Sequence, residues 1–133
     1  MMLSRVADSM YWMSRYIERA ENIARFIDVN ALLTMELGDA VHQQWGPLVA
    51  VTGDEAVFRE SYGDATRANV MRFLTFDEHY TKSMVTSLSG ARENARIVRG
   101  VFDAMARGDR ETIAAAFAGD VVWHAPGTSR FGG

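Results

Sequence analysis

The first 38 residues alternate apolar and polar positions with spacings of three and four, which predicts one long amphipathic helix. A second apolar stripe widens its apolar face, as in a bundle helix that has neighbours on two sides. Gly38 stands where a left-handed cap would end the helix. The predicted seam is Leu3, Val6, Met10, Met13, Ile17, Ala20, Ala24, Ile27 and Ala31; the second stripe is Trp12, Tyr16, Ile23, Phe26 and Leu33; and the opposite, polar side is Arg15, Glu18, Glu21, Asn22, Arg25 and Asp28.

Three short helices are predicted in the middle of the chain. Gly46-Pro47 can begin the first, because proline suits the first turn of a helix. Asp54 and Asp64 each follow a glycine and are predicted N-caps for helices over about 55–62 and 65–75. Ser83, after a loop over 76–82, is the predicted N-cap of the next helix.

A second long helix follows, with a seam that again alternates four and three. Gly90 and Gly100 are expected to weaken it by roughly 1 kcal/mol each relative to alanine. Gly108-Asp109 closes it and caps a short helix over 110–118. The seam residues are Met84, Leu88, Ala91, Ala95, Val98, Phe102 and Met105.

Residues 120–125 are predicted to form a strand, which ends at Pro126-Gly127. Nothing else in the chain reads clearly as its partner, and an isolated strand leaves backbone groups unpaired. Either the assignment is wrong, or another chain pairs with it, or the chain stops before its sheet is built; we favour the last. The predicted fold is therefore mainly α, an antiparallel helical bundle with a short C-terminal strand that lacks an obvious partner.

The bulk composition is that of an ordinary globular domain, with 48% hydrophobic and 23% charged residues among 133. A net charge of -3 without a basic run predicts no nucleic-acid partner. There is no cysteine, hence no disulfide framework. No apolar run approaches the ~20 residues of a membrane span, so we expect no membrane partner and a cytoplasmic location.

Residues 1–98 resemble the start of the alpha-E domain, a bacterial, all-helical family of unknown function. The motifs that carry the resemblance are the run Met2–Arg25, Trp45-Gly-Pro-Leu, the run Asn69–Asp77 and Ala91-Arg-Glu-Asn-Ala-Arg. The resemblance implies an accessory role beside ATP-grasp-like or transglutaminase-like proteins in a peptide- or amide-forming system. It supplies no catalytic residue to transfer.

Residues 99–133 are similar to the opening of SnoaL-like (NTF2-like) proteins, a cone-shaped fold that includes polyketide cyclases and isomerases. Val101 to Asp109 and Phe117 to Gly127 carry this second resemblance. It implies that only the first third of that fold is present. It also implies that the N-terminal parts of two families join near residues 97–101. The alternatives to an alpha-E module are thus a small-molecule-binding or isomerase/cyclase protein, and a non-functional hybrid fragment.

Arg19 is the sharpest binding candidate, because it shares a stripe with Trp12 and Phe26 and a buried guanidinium needs a partner. Such an arginine could bind a carboxylate or phosphate with two hydrogen bonds. The alternative is an internal pair, for example with Glu93. The full set of ligand-binding candidates is Arg15, Arg19, Glu21, Asn22, Glu93, Asn94, Trp123 and His124.

Two segments, Glu21 to Arg25 and Glu93 to Arg96, resemble each other and could face one another as a polar layer across the bundle. The alternative is an ion-pair network or two solvated faces. Trp123 and His124 could line a pocket only in a complete cone fold, and otherwise belong to an inert strand.

No residue is assigned a catalytic role, a metal or a cofactor. The three histidines are far apart and form no Glu-x-x-His pattern. Gly53 and Gly63 are turn residues without the lysine of a phosphate loop. The sequence therefore favours an interaction module over an enzyme.

Self-association is the first testable expectation, because a truncated bundle leaves its apolar seams exposed. Gel filtration at rising protein concentration is expected to show elution earlier than that of a compact monomer of this length. A single monomer peak at all concentrations would contradict it.

Overall fold

The computed structural model describes residues 5–37 and 44–116, and its regular secondary structure there is helical, which confirms the mainly α prediction. The helices of these ranges are α1 (Arg5–Leu37), α2 (Gly46–Thr52), α3 (Glu55–Tyr62), α4 (Arg67–Thr75), α5 (Met84–Arg107) and α6 (Arg110–Ala115). The predicted strand over 120–125 lies outside the described residues. No helix within 5–37 or 44–116 is both long and apolar enough to cross a membrane.

Several helix ends follow the predicted capping chemistry. The Ser83 hydroxyl accepts from the Thr86 amide, and the Asp109 carboxylate accepts from the Thr112 amide. Gly108 ends α5 in the left-handed conformation, at φ 69°.

One predicted aspartate cap is wrong, and the other, Asp54, is confirmed in its N-cap position but not in its side-chain hydrogen bond. Thr66, rather than Asp64, caps α4, by accepting from the Asn69 amide. Asp54 precedes α3 but makes no capping hydrogen bond, because its carboxylate is bound to Tyr80 and Lys82 instead.

α1 and α5 form a long antiparallel pair. The start of α1 meets the end of α6, where the Arg5 amide donates to the Ala116 carbonyl over 2.9 Å. Further along, Gly90 of α5 lies against the ring of Tyr16 on α1. The missing side chain at Gly90 allows the close approach.

The inward face of α1 keeps part of the predicted seam and shifts the rest by one residue: Ala20 is buried and Val6, Met13, Ile27 and Ala31 are partly buried, as predicted. Ser9, Ala20, Ile23 and Asn30 are buried, whereas Met10 and Ile17 are 48% exposed. The reason lies on α5, whose buried positions include Ser87, Ala91, Val101 and Ala104, while Leu88 and Phe102 are exposed. Small residues face each other in the contact, and many large side chains remain on its outside.

The hydrophobic core lies where the three short helices α2, α3 and α4 pack on one another and α4 contacts α1 and α5. Phe73 stacks on Tyr80 with ring centroids 3.9 Å apart and meets Phe58 edge to face at 5.2 Å. The core residues are Ile23, Trp45, Val49, Phe58, Val70, Phe73, Leu74 and Tyr80.

The two glycines of α5 are expected to respond oppositely to alanine. A Cβ at Gly100 meets nothing within 4 Å, so Gly100→Ala should raise the free energy of unfolding by about 1 kcal/mol. A Cβ at Gly90 would lie 2.9 Å from Tyr16 Cε2. Because overpacking costs about 1–3 kcal/mol, Gly90→Ala should be neutral to destabilising in urea unfolding. Equal stabilisation by both variants would contradict the close contact.

Candidate functional site

A cleft of about 240 Å³ opens between α1, α2 and the segment that precedes α5. One wall is apolar and continuous with the core, and the other carries charged side chains from α1. We call this site the cleft. Its lining is Arg15, Glu18, Arg19, Asn22, Ile23 and Phe26 from α1, Leu48, Val51 and Thr52 from α2, and Leu74, Tyr80 and Lys82.

Arg19 lies half-buried in the cleft with its guanidinium carbon 5.7 Å from the centroid of the Tyr16 ring. This cation–π contact partly offsets desolvation. Within the described ranges no carboxylate forms an ion pair with Arg19. Glu93, which was suggested as the partner of Arg19, instead pairs with Arg96 over 3.4 Å.

The neighbouring Arg15 is neutralised at the rim of the cleft. Its Nη1 donates to Glu18 Oε2 over 2.7 Å, and both side chains are more than half exposed. An exposed pair of this kind contributes little to stability. A ligand could therefore replace Glu18 as the partner of Arg15 at a small cost in free energy.

Lys82 and Tyr80 converge on Asp54 at the far side of the cleft. The Lys82 ammonium and the Tyr80 hydroxyl each donate to Asp54 Oδ2 over 2.7 Å. The hydrogen bond from Lys82, and then that from Tyr80, lowers the pKa of the Asp54 carboxyl below its ordinary value. Burial, with the neighbouring Asp54 carboxylate, raises the pKa of the Tyr80 phenol, so Tyr80 stays a neutral donor.

Among the described residues, Arg19 is the charged side chain of the cleft wall on α1 that forms no ion pair, whereas Arg15 and Glu18 pair with each other. Glu18 neutralises Arg15, and Asp54 neutralises Lys82. A guanidinium at the edge of an apolar wall favours a planar oxyanion, which it can bind with two parallel hydrogen bonds. The arrangement is thus suited to hold a carboxylate or a phosphate.

The other predicted site residues on α1 and α5 do not join this site, apart from Asn22 at its edge. Glu21 accepts from Arg25 over 2.6 Å on the exposed side of α1, and Asn94 Nδ2 donates to the Gly90 carbonyl over 2.9 Å. The Glu21 and Glu93 segments do not form a polar layer. They lie on opposite sides of the Tyr16–Gly90 contact, with their midpoints about 17 Å apart along the antiparallel axes at 1.5 Å per residue. Trp123 and His124 lie outside the described residues.

Glu18, Lys82 and Asp54 are site residues that the sequence did not indicate. Glu18 was expected on the side of α1 opposite the core, and the rotation of the helix brings it to the rim. Lys82 lies in a loop without periodicity, so nothing in the pattern connects it to α1. Among the described residues, no cluster of three or more histidine or acidic side chains could hold a metal ion.

Comparison with known proteins shows a match to a family model. The model of a family described as a predicted alpha-helical domain with a conserved ER motif covers residues 2–105. The chain contains a single Glu-Arg dipeptide, Glu18-Arg19, and both of its side chains line the cleft. No curated protein and no solved structure matches.

Acid should remove the contribution of Asp54 to stability. Since its pKa is lower in the folded than in the unfolded chain, that contribution is present above the unfolded value of ~3.9 and is lost as pH falls through the folded value. Asp54→Asn should lower the free energy of unfolding by about 1 kcal/mol at pH 7. The deficit should shrink between pH 5 and pH 3.

Urea unfolding across that pH range measures the effect. Glu21→Gln is the matched control, because it removes a carboxylate from an exposed pair and should change stability little. A deficit for Asp54→Asn that is equal at pH 7 and pH 3 would contradict the assignment.

Proposed function

The chain belongs to the Alpha-E family, and from this premise we propose that it is a helical interaction module that binds an anionic group in the cleft and carries out no reaction of its own. The observation that carries the proposal is Arg19, the half-buried arginine of the Glu18-Arg19 dipeptide that pairs with no carboxylate in the described ranges. Leaving a charged donor partly desolvated costs stability. A bound oxyanion would compensate that cost.

A carboxylate is the anion that we favour. The apolar wall of Ile23, Phe26 and Leu74 adjoins Arg19 and suits a ligand whose charged group is attached to carbon. The cleft has room for such a group, at about 240 Å³.

We further propose that the module serves a peptide- or amide-forming system with an ATP-grasp-like or transglutaminase-like protein. Amide formation consumes a carboxyl group, and a module that holds carboxylates could present one to a partner. Support for the partner class comes from the family resemblance, and support for the chemistry comes from Arg19.

Fewer residues of the chain support the SnoaL-like alternative than support the Alpha-E family. The Alpha-E match continues to residue 105. Helix α5 runs without a break to Arg107, past the suggested junction near residues 97–101. The resemblance to a SnoaL-like N-terminal segment would therefore rest mainly on residues beyond 105. No geometry in the described ranges favours a cyclase or isomerase site.

Replacing Arg19 tests the proposed function. In NMR titrations with N-acetylalanine, the wild-type chain should bind with a dissociation constant in the ~mM range. Arg19→Gln should weaken binding roughly tenfold or more, because a hydrogen bond to a charged group contributes about 1.5–3 kcal/mol. Arg19→Lys should retain part of the affinity, and Arg92→Gln, an exposed arginine on α5 outside the cleft, should retain all of it.

Co-purification of other proteins with this chain from its native cells tests the proposed class of partner. An ATP-grasp-like or transglutaminase-like protein should accompany the wild-type chain and Arg92→Gln, and be depleted with Arg19→Gln. Binding of N-acetylalanine that is equal in the Arg19→Gln and Arg92→Gln variants would contradict the role of the cleft.

A further inference from the structure

The pair formed by α1 and α5 carries an apolar stripe on each helix that the described chain leaves largely exposed. On α1, Met10 and Ile17 stand seven residues apart and are each 48% exposed. On α5, Leu88, Ala95 and Phe102 repeat at the same spacing, and Leu88 and Phe102 are 50% and 58% exposed. A seven-residue spacing keeps side chains on one line along a helix of a pair. We call these five residues the outer face.

The two stripes lie on the same side of the α1–α5 pair. Each stripe residue follows a buried or partly buried position of its own helix by four residues, which is a turn of about 40°. Two antiparallel helices are related by a two-fold axis normal to their common plane, so equal offsets reach the same side of the pair. Because Tyr16 meets Gly90, Ile17 lies level with Leu88 to within about 3 Å, at 1.5 Å per residue.

The short helices occupy the opposite side of α1. Their core includes Ile23 of α1 and none of the outer-face residues. The cleft likewise opens at Arg19 and Phe26, which precede inward-facing positions by one residue instead of following them by four. The outer face is therefore a separate surface of roughly 400 Å², since two helices about 10 Å wide run side by side for about 21 Å. An exposed apolar patch of this size is often an interaction surface.

We propose that a second copy of this chain covers the outer face, so that two α1–α5 pairs form a four-helix bundle whose two-fold axis runs along the helices. In this dimer α1 of each protomer lies beside α5 of its partner, and neighbouring helices are antiparallel throughout, as in up-and-down bundles. Each cleft stays on the outside of the bundle, so the inference is independent of the proposed function.

The side chains of the outer face are complementary in this arrangement. A two-fold axis along the helices preserves height, so Ile17 faces the partner's Leu88. One heptad further, Met10 faces the partner's Ala95, and a large side chain thus meets a small one. The outer face contains no charged side chain that the dimer would bury.

The charges that border the outer face favour the same arrangement. Glu21 is exposed at its α1 edge, where its exposed pair with Arg25 is weak, and Arg92 and Arg99 are exposed at its α5 edge. With α1 beside α5 of the partner, edges of opposite sign adjoin. Glu21 and the partner's Arg92 lie about 10 Å apart along the axis, which is about one Debye length at ~0.1 M salt. The other two-fold arrangement brings like edges together, which is repulsive.

Sedimentation velocity of the full chain from about 1 to about 200 µM tests the proposal. The wild-type chain should show a reversible monomer–dimer equilibrium in the micromolar range, because interfaces of this small area bind weakly. Ile17→Lys should weaken the dimer tenfold or more. Ile97→Lys should leave it unchanged, since Ile97 is equally exposed at 48% but precedes an inward-facing position of α5 and so lies on its other side.

Charge complementation tests which helices meet. Leu88→Glu should, like Ile17→Lys, be monomeric on its own. An equimolar mixture of the two variants should dimerise, because one of its two α1–α5 contacts pairs lysine with glutamate and the other keeps isoleucine against leucine. A mixture that stays monomeric would overturn the pairing of α1 with α5 of the partner.

Circular dichroism separates a lost interface from a lost fold. The variants change exposed side chains, so their melting temperatures at about 1 µM, where the wild-type chain is mainly monomeric, should stay close to the wild-type value. Ile17→Ser and Ile97→Ser repeat the comparison if lysine prevents folding. Arg19→Gln should dimerise as the wild-type chain does, whatever its effect on N-acetylalanine binding. A wild-type chain that is monomeric at every concentration, or an Ile97→Lys variant that dissociates as readily as Ile17→Lys, overturns the proposal.

Discussion

The close antiparallel contact between α1 and α5 is the constraint on which the arrangement depends. Gly90 lets the Tyr16 ring lie directly against the α5 backbone, and Ser87 and Ala91 continue the same narrow face. The observed rotation of α1 places Tyr16 against these small side chains. That rotation buries Ile23 and Asn30 and leaves Met10 and Ile17 outside.

The same rotation creates the candidate site. With Ile23 in the core, Arg19 one turn earlier lies at the boundary between the apolar wall and solvent. The opposite wall is fixed by Tyr80, whose ring stacks on Phe73 and whose hydroxyl binds Asp54. The Asp54 carboxylate thereby neutralises Lys82 instead of capping α3, and Arg19 has no ion pair among the residues that the structure describes.

The helices could be predicted from the sequence because residues that favour helix ends, among them Pro47, Ser83 and Gly108, mark their boundaries. The rotation of α1 could not, because its apolar face is wide enough to fit two neighbouring seams. The choice between Ile17 and Tyr16 is made by Gly90, some seventy residues away. The two similar segments form exposed ion pairs within their own helices, Glu21 with Arg25 and Glu93 with Arg96, which is the alternative to a polar layer, and the register that separates them depends on that same contact. Lys82 joins the cleft through a loop, where periodicity carries no information.

Two features that oppose stability coincide on one face of α1. Arg19 is a half-buried charge without an ion pair in the described ranges, and Asn30 is a buried donor without an acceptor. Each could be replaced by an apolar residue with a gain in stability, and natural sequences accept such conflicts chiefly at functional sites. They lie three turns apart on one face of α1, with exposed Phe26 and Val29 between them, so the two conflicts and the apolar surface that the narrow α1–α5 contact leaves outside occur on the same stretch of the helix.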